Sequence, residues 1–154
     1  MKPTNKIVIT LCGSSNTGKT TTLKNVIDKL ERKYKVNDVE GEFFVANDRL
    51  VTVDIDGVKV GISTGGDRGK GVKDCITKLL NKGCNIIITA TRSKGATVKV
   101  VNTFCENNKY KLDRIKKSLT IKQKMNKEEC NKRNKKYNKI DSEIVFDAIF
   151  HHFE

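Results

Sequence analysis

Gly13-Ser14-Ser15-Asn16-Thr17-Gly18-Lys19-Thr20 fits the pattern G-x-x-x-x-G-K-[ST] without a mismatch. An apolar run, Ile7-Val8-Ile9-Thr10-Leu11-Cys12, stands directly before it. After it, Leu23, Val26, Ile27 and Leu30 fall at spacings i, i+3, i+4 and i+7, one face of a helix over about 19–33. A buried strand at 6–12 that enters a helix through a glycine-bounded turn opens a β-α-β arrangement, and so points to a parallel α/β sheet.

The residue types between strand and helix suit a polyphosphate. Such a ligand carries several negative charges that must be held without water. Glycines at 13 and 18 let the backbone turn tightly and bring the N–H groups of the loop, through Ser14, Ser15, Asn16 and Thr17, close to phosphate oxygens. The helix that follows points its positive end at the same place. Lys19 is expected at the exposed edge of the sheet, reaching β- and γ-phosphates. The Thr20 hydroxyl is placed to ligate Mg²⁺, and Thr21 to donate to the α-phosphate.

On these residues the chain resembles the P-loop NTPase superfamily, over residues 6–33. The resemblance implies a three-layer α/β fold with a mostly parallel sheet, and binding of ATP or another NTP with Mg²⁺. Gly61-Ile62-Ser63-Thr64-Gly65-Gly66-Asp67 and Ile86-Ile87-Ile88-Thr89-Ala90-Thr91-Arg92 are similar to stretches of small, poorly characterised P-loop proteins. That likeness attaches no substrate.

The 154 residues suit one nucleotide-binding domain spanning 1–154, with a core of about five strands. No apolar run reaches 18 residues, the N-terminus enters a strand without a signal peptide, and a cytoplasmic protein is expected. Five cysteines at 12, 75, 84, 105 and 130 form no C-x-x-C pair, and the two histidines are adjacent at 151 and 152. This spacing argues against a zinc site or a disulfide framework and for reduced, mostly buried thiols. The net charge is +13, and residues 109–139 hold 13 basic against 3 acidic side chains. Such a face can take nucleic acid or another polyanion. Only Tyr110 and Tyr137 interleave it, a poor surface for stacking bases.

Along the chain, 34–41 is polar and reads as a loop, and 42–46 as a short strand. Leu50–Ile55 and Val58–Ser63 flank Asp56-Gly57, a two-residue hairpin signal, so one of the pair runs antiparallel and is expected at one edge of the sheet. A helix over about 71–82 ends at Gly83. The apolar run 85–90 reads as a central parallel strand. A helix at 96–107, an edge strand at 110–116 and helical segments after 126 complete the chain. Ile144, Val145, Ala148 and Ile149 form a stripe expected to dock on the sheet.

P-loop enzymes need an acidic or polar group near the metal, at the end of a neighbouring strand. Asp54 and Asp67 compete for that role. One helix links strand 58–63 to strand 85–90, so the two run parallel. If both also run parallel to the first strand, the loop 64–70 opens beside Thr20 and the Asp56-Gly57 turn lies a strand length away. Ligands of open α/β sheets bind beyond the carboxyl ends of the strands. This favours Asp67 as the metal-site and catalytic carboxylate, with Ser63 as a further metal oxygen and Thr64 as another polar group. The same rule brings Arg92, and secondarily Arg68, to the edge as phosphate-binding forks that stabilise charge during transfer.

Three reactions fit. The first is a Mg²⁺-dependent NTPase or small-substrate phosphotransferase with Lys19, Asp67, Arg92 and Arg68 in the catalytic set. The six arginines are scattered, without the cluster of a kinase lid. The second is a GTPase-like switch. Ser63-Thr64-Gly65-Gly66 resembles its D-x-x-G motif with Ser63 in place of the metal-linked Asp, and Asn138-Lys139-Ile140-Asp141 matches its guanine-reading N-K-x-D. In that family a strand and helix follow, whereas here 13 residues follow Asp141 and read as one helix. A chain rich in Lys and Asn also meets this pattern by chance, so ATP is the expected nucleotide. The third is an adaptor that binds nucleic acid through the basic 109–139 face.

Overall fold

The computed structural model describes residues 6–14, 17–39, 48–65, 69–118 and 126–153. Ten elements follow in order: β1 (Ile7–Cys12), α1 (Lys19–Glu31), β2 (Val36–Asp38), β3 (Leu50–Ile55), β4 (Val58–Ser63), α2 (Gly69–Asn81), β5 (Ile86–Thr91), α3 (Ala96–Asn108), β6 (Lys111–Lys116) and α4 (Lys127–His151). The strands form one sheet in the order β2-β3-β4-β5-β1-β6. β1 pairs parallel with β5 and β6, and β4 parallel with β5. β3 alone runs against its neighbours, antiparallel to both β2 and β4.

Alternation along the strands sorts the core into two halves. Ile7, Ile9 and Leu11 face one side with Val51, Val53, Ile86 and Ile88, and there they meet Leu23, Val26, Ile27 and Leu30 of α1 and Val145 and Ile149 of α4. Val8, Leu50 and Ile87 face the other side, against Val72, Ile76 and Leu79 of α2 and Val101 and Phe104 of α3. Helices therefore cover both faces, and the central strands β1 and β5 are buried at every position because neither face meets water.

The expected parallel directions hold: β4, β5 and β1 share one direction, and the β3-β4 hairpin turns at Asp56 (φ 49°) and Gly57 (φ 83°), the left-handed pair that a type I′ turn requires. α2 closes on Gly83, whose N–H donates to Leu80 O at 2.9 Å.

Four expectations change. The sheet has six strands, because Val36–Asp38 within the expected loop 34–41 pairs with Val51–Val53. The antiparallel strand β3 consequently lies one place in from the edge, with β2 outside it. The segments after 126 are a single helix of 25 residues, started by the Asn126 side chain accepting from Glu129 N at 2.8 Å. On that helix Ile144 points out, 47 % exposed, while Val145 and Ile149 carry the docking stripe. The expected strand at 42–46 lies outside the described residues.

Candidate functional site

β1 delivers its last residue, Cys12, to the carboxyl edge of the sheet. There Gly13 N donates to Thr91 O, at the end of β5, at 3.1 Å. The chain re-enters helix at Gly18, in the left-handed region (φ 86°, ψ 19°). α1 has no side-chain cap and no acidic residue in its first turn, so its N-terminal dipole is not offset there.

Lys19 is not at an exposed edge. It is 5 % exposed, and its ammonium donates to Gly13 O at 2.7 Å and to Thr91 O at 3.1 Å. A cation on a flexible stem is thereby folded back over the start of the loop. The next residue, Thr20, donates its hydroxyl to Thr64 O at 3.1 Å. Thr17 Oγ1 closes the loop internally on Ser14 O at 2.8 Å, and Thr21 is exposed. Gly13, Ser14, Thr17, Gly18, Lys19, Thr20 and Thr21 thus stand together at the carboxyl edge; Ser15 and Asn16 lie outside the described residues.

The second half of the expected site is partly described. Asp67 and Arg68 lie outside the described residues. Ser63 is buried, and its hydroxyl bonds the Cys75 thiol on α2. Burial pushes that thiol up, against the Ser63 hydrogen bond that lowers it, and the charges of Asp74 and Asp48 add to the rise. Arg92 follows β5 at the same edge with an exposed side chain, its backbone N–H held by Thr97 Oγ1 at 2.9 Å. Asp54, exposed and paired in register with Lys59, lies toward the hairpin turn, at the far end of β4 from Ser63.

Two groups of residues stand at the edge beyond the expected set: Asp48 went unrecognised in the sequence, and Asn138 and Asp141 matched the N-K-x-D pattern but were expected to be a chance match. The first is Asp48. Its carboxylate lies against Gly65, where a Cβ would sit 2.9 Å from Oδ2. Thr64, fully buried, links it inward: Thr64 Oγ1 donates to Asp48 Oδ1 at 3.4 Å and accepts from Arg49 N at 2.7 Å. Comparing only the residues that end strands passes over Asp48, because it precedes an antiparallel strand.

The second group ties α4 to the loop. A Cβ at Gly18 would overlap the Asn138 carboxamide, and Thr22 Oγ1 lies 3.5 Å from Asn138 Oδ1. A Cβ at Gly13 would meet Thr17 Oγ1 at 2.9 Å and Lys117 Cβ at 3.1 Å. Lys117 in turn forms an ion pair with Asp141 at 2.8 Å, with side chains 2 % and 1 % exposed. Ser118 completes it, donating N–H and Oγ to the same carboxylate at 3.1 and 2.7 Å. Asn138 and Asp141 therefore lie buried in mid-helix, with the Asp141 carboxylate committed to Lys117 and Ser118. Asn138, Asp141, Val145 and Ile149 follow one another at i+3, i+4 and i+4 steps, and that periodicity is the signal that marks them as an inward face.

A cavity of about 700 Å³ opens between the loop and the end of β6, bounded by Cys12, Thr17, Ser93, Arg114, Lys116 and Ser118 among others. It is large enough for a small ligand, with an apolar floor and a basic rim. Among the described residues no group of three or more His, Cys, Asp or Glu could hold a metal ion, and no helix is long and apolar enough to cross a membrane. Mg²⁺ beside a phosphate needs only one or two protein oxygens, and Thr20 with a carboxylate near Thr64 is a donor set of that hard-oxygen kind. Comparison with known proteins gives no matching family model, no matching curated protein and no matching solved structure.

Proposed function

We propose that this protein binds a Mg²⁺-nucleoside triphosphate, with ATP preferred, at residues 13–21, and transfers the γ-phosphoryl group to water or to a small acceptor. One observation carries the reading. The Lys19 ammonium and the Thr20 hydroxyl emerge side by side at the carboxyl edge, bonded to Gly13 O and Thr64 O, where the loops after β4 and β5 also open. An incoming phosphate oxygen would exchange for the carbonyls of Gly13 and Thr91 as partner of the ammonium and gain a charge-assisted bond. Loop N–H groups and the start of α1 favour the same anion. Mg²⁺, when bound, supplies positive charge against the β- and γ-phosphate oxygens. Arg92, exposed at the edge, meets either the acceptor or the charge that develops on transfer. Asp67 and Arg68 keep their proposed catalytic roles, with Asp67 and Ser63 as metal oxygens.

The preference for ATP is supported by Asn138 and Asp141. Both are buried, and the Asp141 carboxylate is taken up by Lys117 and Ser118, which supports reading their N-K-x-D match as a coincidence of composition. A thermal-shift screen with ATP, GTP and dNTPs, each with and without Mg²⁺, tests the reading. ATP with Mg²⁺ raises the melting temperature, and Lys19→Ala abolishes the rise; equal shifts in parent and variant would remove the assignment. The basic 109–139 region supports a second reading, nucleic-acid binding, on the observation that Lys132, Arg133, Lys135, Lys136 and Lys139 of α4 are all exposed. Its signature is binding that weakens steeply with salt.

A further inference from the structure

We propose that Asp48 supplies an acidic oxygen to the divalent cation that accompanies the nucleotide, directly or through one coordinated water. The proposal rests on the nucleotide reading above and assigns a metal residue that the reading did not contain.

The physical need comes first. Mg²⁺ at a triphosphate keeps several waters and takes one or two carboxylates in addition to phosphate oxygens. β4 ends in Ser63, whose buried hydroxyl carries no charge. A carboxylate beside it can add charge to that of Asp67. β3 runs antiparallel to β4 with Leu50 opposite Ser63, so β3 begins at the edge where β4 ends. Asp48 stands two residues before Leu50, on the same face of the ribbon by alternation. Its carboxylate lies against Gly65 and within 3.4 Å of Thr64 Oγ1, the two residues that follow Ser63, which locates it beside the end of β4.

Thr64 connects the two halves. Its carbonyl accepts from the Thr20 hydroxyl at 3.1 Å, and its own hydroxyl donates to Asp48 at 3.4 Å. One fully buried residue thus bridges the first turn of α1 and the first carboxylate of the ribbon. The close approach at Gly65 has the same origin: a side chain there would displace the carboxylate.

The test measures affinity for a fluorescent ATP analogue in Mg²⁺ and in EDTA, for the parent, Asp48→Asn and Asp67→Asn. The parent binds more tightly in Mg²⁺. Asp48→Asn loses that Mg²⁺-dependent gain, on the order of tenfold or more, while its affinity in EDTA stays near the parent's. Asp48→Asn with the full Mg²⁺ gain overturns the proposal, as does loss of the gain in Asp67→Asn alone. A parent that binds no nucleotide in either buffer removes the nucleotide reading and the proposal with it, an outcome distinct from the first two. Should Asp48→Asn not fold, the parent decides by NMR with Mn²⁺ and ATP. The amide signals of Asp48 and Gly65 broaden and that of Gly57 stays sharp; an unbroadened Asp48 amide overturns the assignment.

Discussion

At Lys19 two demands meet on one side chain. Its ammonium satisfies the carbonyls of Gly13 and Thr91, and in the proposed reaction it must leave them for phosphate oxygens. A charged donor makes that exchange favourable only when the incoming acceptor is itself charged. Lys19→Ala should therefore cost Mg-nucleotide affinity by more than about tenfold, since hydrogen bonds to charged groups contribute about 1.5–3 kcal/mol each. It should also lower the melting temperature by a few degrees, because two carbonyls lose a donor at a position that is 5 % exposed. A fluorescent-nucleotide titration and a thermal melt on the same sample check both, and unaltered affinity would end the phosphate-loop assignment. The chemistry of Lys19 and Thr20 is legible in the sequence, because residue type and spacing alone state it. The burial of Lys19 is not, since it depends on Thr91, 72 positions away in the chain.

Elements differ in how much of themselves the sequence displays. β1, α1, the β3-β4 hairpin, α2, β5 and α3 each carry a period or a turn pair and are read with bounds close to those observed. β2 is three residues, Val-Asn-Asp, too short for any period; what fixes it is pairing with β3 and the salt bridge from Asp38 to Arg49 at 3.1 Å. α4 hides for a different reason. In its first eleven residues, 127–137, none is buried, so no apolar stripe announces the helix. Where it does bury residues, the face begins with polar Asn138 and Asp141, which brace the two ends of the 13–18 loop, Asn138 at Gly18 and Asp141 through Lys117 at Gly13. Breaking a buried pair strands one charge and costs about 3–5 kcal/mol. Asp141→Asn should accordingly lower the melting temperature markedly, and Lys117→Met with Asp141→Leu should recover much of the loss by removing both charges. A double variant no more stable than Asp141→Asn in thermal melts would mean that the pair is not an isolated interaction. The same burial predicts that ATP stabilises the parent more than GTP does. A larger GTP shift that vanishes in Asp141→Asn would restore the guanine-reading role.

The whole molecule is a sheet between two unlike cores. Among the described residues, the buried part of the α1/α4 side is all aliphatic, with Tyr34 and three phenylalanines packed partly buried against it. The α2/α3 side holds Cys75, Cys84, Cys105 and Tyr110 among its buried residues, with the Tyr110 hydroxyl donating to Cys84 O at 2.6 Å. Strand directions were legible because the β-α-β unit and the hairpin constrain them, whereas the sixth strand and the inward place of β3 were not. The chemical asymmetry of the two faces was not, because it depends on which side of each strand a residue takes. That asymmetry gives the protein one alkaline weak side. Burial pushes the Cys84 thiol up to about 12 and the Cys105 thiol to about 11 from an ordinary 9.0. It pushes the Tyr110 phenol to about 12 from an ordinary 10.0. All three are raised in the folded chain, so above pH 9 the unfolded chain gives up these protons first and binds fewer of them. Stability then falls as pH rises. Their contribution is whole below pH 9 and is lost as pH climbs through 11 to 12. Melting temperature followed from pH 7 upward should stay level with respect to these groups and then drop beyond pH 9. Lysine discharge contributes to the same drop, so Cys84→Ala is the control: it starts less stable, because burial is lost, yet declines more gently with alkali than the parent. Amide hydrogen exchange at matched alkaline pH should show α2 and α3 losing protection before α1 and the second half of α4. A Cys84→Ala variant that declines as steeply as the parent, or protection lost first on the α1/α4 side, would show that the buried thiols do not set the alkaline limit.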